Sequence, residues 1–270
     1  LIFFDMDYIF LNKLLSKNFT RFFPKTINRK LFRKYNIFFV PANLNTLPKS
    51  FYPIATNLKK QKDLIFKYRK NKKLINQTTK KKLDKFLFNY FGKSNFSFFD
   101  IGGENIDLYL HLSKKLNVRI YYIYNFKSLI DLFKKLKKIF KFNKFFPIEN
   151  VSSINKIDFA YFGSCIQYFK NYKIFLKSII KKKPKYIFFS GTSFFHDKLI
   201  KDYIVVKQTN YLPNTIYLYF FNLNNFIKFM NLNGYKLVFF ETNKTAKLNY
   251  KNFSHLLKKT EYLDVLFKKK

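Results

Sequence analysis

From about residue 95 onward, short apolar segments alternate with amphipathic ones, and this alternation most limits how the chain can fold. Aromatic and β-branched runs predict strands over residues 96–101, 118–124, 157–162, 185–189, 235–241 and 262–267. Helical spacing of apolar residues predicts helices over residues 129–139, 166–180 and 226–232. Residues 104–116 fit a helix or a strand by periodicity, and their length and the glycines before them favour a helix. Strands and helices that alternate at this spacing predict an α/β fold with a doubly wound, mostly parallel sheet.

The N-terminal third of the chain has a different pattern. Three prolines within residues 35–53 predict extended or loop structure, and residues 57–91 have helical spacing. We therefore predict an N-terminal extension over residues 1–92, loop then helical, and a Rossmann-like domain over residues 93–270. The first residue is Leu1 and not Met, which leaves open a fragment or an unusual start codon.

The net charge of +38 would attract polyanions. The basic residues are nearly all lysines, however, and arginine is the side chain that phosphate- and guanine-reading sites prefer. A chain rich in Lys, Asn, Ile, Phe and Tyr is what an AT-rich genome encodes. The composition therefore favours charge on solvated faces over nucleic-acid binding. Contact with an anionic membrane surface stays open, as does the oligomeric state.

The sequence offers few residues for covalent or metal chemistry. It has one cysteine, Cys165, and no signal-peptide pattern, which favours a reducing, cytoplasmic compartment. One cysteine and three scattered histidines make no zinc pattern, so we expect no metal site. The sequence contains no apolar run of about 18 residues, so no transmembrane segment is predicted.

Ligands of doubly wound sheets bind at the carboxyl ends of the strands. The predicted strands place five loops along that edge, at residues 100–105, 124–126, 148–151, 163–167 and 190–192. Site residues are therefore expected in these loops.

The first of these loops has the sequence Asp-Ile-Gly-Gly-Glu-Asn and begins at Asp100. Glycines after a strand let the backbone approach a ligand closely, although a plain structural turn would explain them too. The third glycine of the dinucleotide fingerprint is absent, and Glu104 would repel a pyrophosphate. This argues against NAD or ATP and is compatible with a cationic ligand such as S-adenosylmethionine.

Residues 99–106 resemble motif I of class I methyltransferases, D-x-G-G-x-x-G, with the last glycine replaced. The segments "IDFAYFGSCIQYFKNY", "PKYIFFSGTSF", "IVVKQTNY" and "NGYKLVFFETN" follow in the order of a little-characterised family of S-adenosylmethionine-dependent methyltransferases. The resemblance covers about residues 95–270. It implies a seven-stranded sheet with an antiparallel last strand and S-adenosylmethionine as cofactor. Genes of that family tend to lie near surface-polysaccharide or glycosyl-transfer genes.

The expected site residues follow from the loops and from this resemblance. The cofactor-binding candidates are Asp100, Gly102, Gly103, Asn105, Tyr124, Asn125, Ser164 and Gln167. Tyr124 and Asn125 stand where such enzymes usually carry an acid for the ribose. The candidates for general base are His196 and Asp197, and those for acceptor contact are Ser190, Thr192, Gln208 and Tyr211.

The predicted function is methyl transfer to oxygen or nitrogen of a small-molecule or glycan-linked acceptor. The alternative is a catalytically degenerate methyltransferase-like domain that binds a partner, an anionic membrane surface or nucleic acid through its lysines. An RNA methyltransferase is a third interpretation, which only the charge favours.

Overall fold

A computed structural model describes residues 36–39, 57–71, 77–196, 202–211, 214–244, 248–249 and 260–270. The helices in these ranges are α1 (Leu58–Asn71), α2 (Gln77–Phe91), α3 (Asp107–Lys115), α4 (Lys127–Phe140), α5 (Tyr172–Ile180) and α6 (Leu223–Leu232). The strands are β1 (Asn36–Phe39), β2 (Phe96–Ile101), β3 (Val118–Tyr124), β4 (Phe145–Ile148), β5 (Phe159–Gly163), β6 (Tyr186–Phe195), β7 (Tyr203–Tyr211), β8 (Asn214–Asn222), β9 (Tyr235–Thr242), β10 (Leu248–Asn249) and β11 (Thr260–Lys269). Within the described ranges, every helix is too short or too polar to cross a bilayer.

Seven of the strands form the path β4–β3–β2–β5–β6–β11–β9. The strands from β4 to β6 along this path are mutually parallel, and β11 runs antiparallel to both β6 and β9. This arrangement confirms the predicted doubly wound, Rossmann-like sheet of the class I methyltransferase type, including its antiparallel last strand.

Side chains alternate between two apolar layers, one on each face of the sheet. On β2, Phe98 joins the layer that holds apolar residues of α1 to α4, whereas Phe99 joins the layer of α5 and α6. All six side chains of β2 are buried, as expected for a central parallel strand that helices cover on both faces. The helices of the extension thus share one core with the sheet, and the division at residue 92 stays a prediction.

The sheet continues beyond the seven-stranded path through a hairpin that the sequence analysis missed. Strand β6 is longer than β5, and its last two residues pair in parallel with Phe221 and Asn222 of β8. Strand β7 pairs with β8 and β1, and β1 pairs with β10. The extra strands therefore begin at the end of β6 that extends beyond β5.

The structure corrects several predicted boundaries. The strand predicted at residues 185–189 continues to Phe195, because β11 pairs with it along its whole length. The helix predicted at residues 166–180 is a short 3₁₀ turn at Ile166–Tyr168 followed by α5. Strand β4 was missed, since it is four residues long and contains Pro147.

Candidate functional site

A cavity of about 870 Å³ lies at the carboxyl ends of β2, β3 and β5. Its volume is in the range of small-molecule sites. The loops that follow these three strands form most of its wall, and Glu149 after β4 contributes to it. Seven of the eight predicted cofactor residues line it: Asp100, Gly102, Gly103, Asn105, Tyr124, Asn125 and Ser164.

The two glycines of the first loop are required by close contacts. Gly102 has a φ of +80°, and a Cβ atom there would lie 2.5 Å from Cβ of Cys165. At Gly103 a Cβ atom would lie 2.3 Å from Oδ2 of Asp100. Any side chain at Gly103 would therefore displace the Asp100 carboxylate, which lines the cavity.

Asp100 itself is held from below. Its side chain is 2% exposed, and the Tyr121 hydroxyl donates a hydrogen bond of 2.7 Å to its Oδ2. Burial, together with the charge of Asp100, raises the pKa of Tyr121 well above its usual value. Tyr121 therefore stays protonated and keeps the carboxylate in one orientation.

The start of α3 has a different geometry from a phosphate-binding helix terminus. Free N–H groups at a helix N-terminus are what bind a phosphate. Here the Ile106 N–H donates to Oε1 of Gln61 at 3.0 Å, and the Asp107 N–H donates to Oδ1 of Asn105 at 3.1 Å. These side chains occupy two of the N–H groups at this end of α3, which agrees with the argument from Glu104 against a pyrophosphate.

The second loop is tied to the first by Asn125. Its Nδ2 donates to the Gly103 carbonyl at 2.9 Å, and its Oδ1 accepts from the Phe126 N–H at 2.7 Å. Tyr124 stacks on Phe169, which follows the 3₁₀ turn after β5, with ring centroids 6.4 Å apart. At the position where an acid was expected, Asn125 thus links two loops by hydrogen bonds, and Tyr124 contributes an aromatic ring to the cavity wall.

The loop that follows β5, at residues 163–167, is held by several hydrogen bonds. Ser164 has a φ of +54°; its N–H donates to the Ser190 carbonyl at 2.7 Å and its Oγ lies 2.8 Å from the Tyr262 hydroxyl. The Cys165 thiol donates to the Ile101 carbonyl, and burial raises its pKa, so it stays protonated. Gln167 does not line the cavity; it is buried and donates to the Ser164 carbonyl at 2.9 Å.

Among the residues that the structure describes, acidic side chains outnumber basic ones on the cavity wall. Asp100, Glu104, Asp107 and Glu149 line it, against Lys127 and Lys170. The chain as a whole has 53 basic and 15 acidic residues, so this excess runs against the composition. Glu149 is partly neutralised, since its Oε1 lies 2.5 Å from Nζ of Lys134. The cavity favours a cation over an anion.

Ser190 and Thr192 were predicted in a loop, and this is wrong because both lie inside β6. Both are at most 1% exposed and neither lines the cavity. The Ser190 hydroxyl donates to Oδ1 of Asp264 at 2.9 Å. Their contact with an acceptor stays a prediction.

Asp264 is the centre of a buried network that the sequence analysis missed. Its Oδ1 also accepts from the Gly191 N–H at 2.9 Å and from Nδ2 of Asn243 at 2.6 Å. Its Oδ2 lies 3.2 Å from Nζ of Lys82 in α2. An acid inside an apolar C-terminal strand was a signal that a buried partner network should exist.

His196, one of the two general-base candidates, does not line the cavity. His196 follows β6, and its Nε2 is 2.7 Å from Oε2 of Glu261 at the start of β11. Asp197 lies outside the described residues. Gln208 and Tyr211 belong to β7, of which the structure describes the backbone at these positions. The roles of all four stay predictions.

No protein-family model and no curated protein matches the sequence. Among solved structures, the chain is similar to the 1,6-didemethyltoxoflavin-N1-methyltransferase of Burkholderia thailandensis, with bound 1,6-didemethyltoxoflavin and S-adenosylhomocysteine (12% identity, TM-score 0.47, 86% of this chain and 98% of that one). It is also similar to an S-adenosylmethionine-dependent methyltransferase of Clostridium acetobutylicum (10%, TM-score 0.48, 78% and 99%) and to the [4+2]-cyclase SpnF (7%, TM-score 0.49, 84% and 99%). Likenesses this distant carry no activity over, because one fold hosts many functions.

Proposed function

We propose that this chain is an S-adenosylmethionine-dependent methyltransferase whose cofactor lies in the cavity at the ends of β2, β3 and β5. The observation that carries the proposal is the excess of acidic side chains around the Gly102–Gly103 turn, in a chain that is otherwise strongly basic. The cofactor supplies a methyl group on a positively charged sulfur. The protein has only to bind it, orient it and accept the proton of the acceptor.

The cavity residues fit the chemical groups of this cofactor. Acidic side chains such as Asp100 and Glu104 suit its ammonium and sulfonium charges. The rings of Tyr124 and Phe126 supply flat apolar surface for a nucleobase, and Phe126 is 58% exposed at this wall. At the start of α3, side chains already bind the N–H groups of Ile106 and Asp107, which makes this end less suited to the phosphates of a dinucleotide.

The pair of His196 and Glu261 is proposed as the general base. A carboxylate 2.7 Å from one ring nitrogen fixes the tautomer, which leaves the other nitrogen to take a proton from an acceptor hydroxyl or amine. Asp197 is kept as a second candidate on the sequence alone. Because His196 does not line the cavity, His196→Gln is expected to leave cofactor affinity unchanged while lowering turnover by about 100-fold.

The acceptor is proposed to be a small-molecule or glycan-linked hydroxyl or amine. Support comes from the resemblance of the sequence and from the small-molecule size of the cavity. A nucleic-acid acceptor is less favoured, because the described part of the cavity wall carries more acidic than basic side chains.

Calorimetric titration with S-adenosylmethionine and S-adenosylhomocysteine tests the proposal. Wild type is expected to bind both, and Asp100→Asn to bind either at least about tenfold more weakly, since charged hydrogen bonds contribute about 1.5–3 kcal/mol. Glu104→Gln removes one cavity charge without changing shape. The substitution is expected to weaken the binding of S-adenosylmethionine by roughly two- to tenfold more than that of S-adenosylhomocysteine, whose sulfur is uncharged.

Asp63→Asn is the matched control, because Asp63 is an exposed acid of α1 that does not line the cavity. Its affinities should equal those of wild type. No binding of either ligand to wild type at millimolar concentration would overturn the proposal and favour a degenerate domain.

A further inference from the structure

Gln61 of α1 connects the N-terminal extension to the cofactor loop. Its side chain is completely buried, which is rare for glutamine. Its Oε1 accepts from the Ile106 N–H at 3.0 Å, and its Nε2 donates to the Glu104 carbonyl at 3.4 Å. One amide group therefore holds both ends of the short segment between Gly103 and α3.

The chemistry of these partners determines the orientation of the Gln61 amide. A backbone N–H can only donate and a carbonyl can only accept. The amide oxygen must therefore face Ile106 and the amide nitrogen must face Glu104. Side chains without both an acceptor and a donor at this reach cannot make the same pair of contacts.

The segment held by Gln61 is where the sequence departs from the motif it resembles. Ile106 stands at the position of the last glycine of D-x-G-G-x-x-G. Its side chain is fully buried in the apolar layer that also contains Ile65 of α1 and Leu112 of α3. The motif has a glycine in this turn. In this chain the turn is instead stabilised by the packing of Ile106 and by hydrogen bonds with the Gln61 amide.

We propose that Gln61 is a positioning residue for the cofactor loop, and that α1 is thereby a working part of the cofactor site. This inference rests on the proposed function for its ligand. Without Gln61, the buried Ile106 N–H loses its acceptor, and the segment that carries Glu104 to the cavity wall is free to shift.

The test uses the full chain and the variant Gln61→Met, which keeps the length of the side chain and removes both hydrogen bonds. Amide hydrogen exchange measured at Ile106 should accelerate by about tenfold or more, while the central strand β2 keeps its protection. Affinity for S-adenosylhomocysteine should fall by about tenfold. Gln61→Glu retains an acceptor for Ile106 and should restore most of the protection at that amide.

Ile65→Val is the matched control, because Ile65 lies one turn along α1, is equally buried and belongs to the same apolar layer. It should reduce stability without changing Ile106 exchange or ligand affinity. Unchanged Ile106 exchange in Gln61→Met would overturn the contact. Faster exchange with unchanged affinity would overturn the positioning role. If wild type binds no ligand, the proposed function fails and the positioning role with it, while the exchange data still test the contact itself.

Discussion

At the scale of single residues, the glycine pair of the first loop shows most directly how the backbone and the site constrain each other. Gly102 needs its left-handed backbone and the space beside Cys165. Gly103 has no such backbone requirement, but it needs the space that the Asp100 carboxylate occupies. The two positions reject side chains for different physical reasons.

Gly103→Ala is expected to abolish measurable cofactor binding at millimolar ligand, because the new methyl group and Oδ2 of Asp100 would be 2.3 Å apart. Gly234→Ala is the control: Gly234 has a φ of +83° and open space around it. It should lower the free energy of unfolding by about 1 kcal/mol through backbone strain and leave binding unchanged. Urea denaturation and calorimetric titration measure the two effects. Normal binding by Gly103→Ala would show that the Asp100 geometry is not needed.

At the scale of secondary-structure elements, α2 forms ion pairs with two separate parts of the fold, in addition to its apolar packing. Towards α3, the Asp84 carboxylate accepts hydrogen bonds from Nε2 of His111 at 2.7 Å and from Nζ of Lys115 at 3.0 Å. Towards the far edge of the sheet, Lys82 lies between Glu241 of β9 and Asp264 of β11. Both sets of ion pairs join the N-terminal extension to the rest of the described fold, one at helix α3 and the other at strands β9 and β11.

The Asp84 contact should make stability depend on pH. Burial would by itself raise the pKa of Asp84, but the hydrogen bonds from His111 and Lys115 outweigh it and lower the pKa. A lowered pKa in the folded state contributes stability above the ordinary carboxyl pKa, and this stability is lost as pH falls through the folded value. Asp84→Asn is therefore expected to cost about 1–2 kcal/mol at neutral pH, a gap that narrows below about pH 4.

Urea denaturation of wild type and Asp84→Asn between neutral and acid pH measures this gap. Asp63→Asn, an exposed acid of α1, serves as the control and should show little difference from wild type. A gap that stays constant down to about pH 3 would contradict the assignment.

Removing Lys82 should leave a buried carboxylate without its countercharge. Asp264 is 1% exposed, and its remaining hydrogen bonds come from the neutral groups of Ser190, Gly191 and Asn243. Lys82→Met is expected to lower the free energy of unfolding by about 2 kcal/mol, less than for a fully buried pair because Lys82 is partly exposed.

A double-mutant cycle isolates this interaction. In an Asp264→Asn background, Lys82→Met should cost clearly less than it does in wild type. Lys85→Met, at an exposed site on the same helix, is the control and should be nearly neutral. Equal losses in both backgrounds would mean that Lys82 stabilises the fold through packing or through Glu241 and not through Asp264.

At the scale of the whole molecule, the net charge of +38 acts on stability through self-repulsion. Salt screens such repulsion within about 10 Å at about 0.1 M. We therefore expect the thermal midpoint to rise by several degrees between about 0.05 M and about 0.5 M NaCl. Differential scanning calorimetry measures the shift, and an uncharged osmolyte at matched osmolality provides the control. A midpoint that falls with salt would show that attractive pairs dominate.

The sequence predicted the architecture well because periodicity reports local burial. Strands β2 and β3 were predicted with the bounds that the structure has, and the order of strands and helices gave the sheet type. The edge formed by the strand ends then led to most of the cavity wall, from Asp100 to Ser164. The β7–β8 hairpin was missed, because the uncharged residues 208–227 run from β7 through β8 into α6 and show no single hydrophobic period.

The sequence by itself determined the doubly wound sheet, the loops at its carboxyl edge and the two glycines beneath the cavity. Only the tertiary structure decided which distant side chains complete that edge. Gln61 meets Ile106 across 45 residues, and Lys82 meets Asp264 across 182. Periodicity says nothing about such pairs, because a hydrogen bond between elements depends on how those elements pack and not on the spacing within either one.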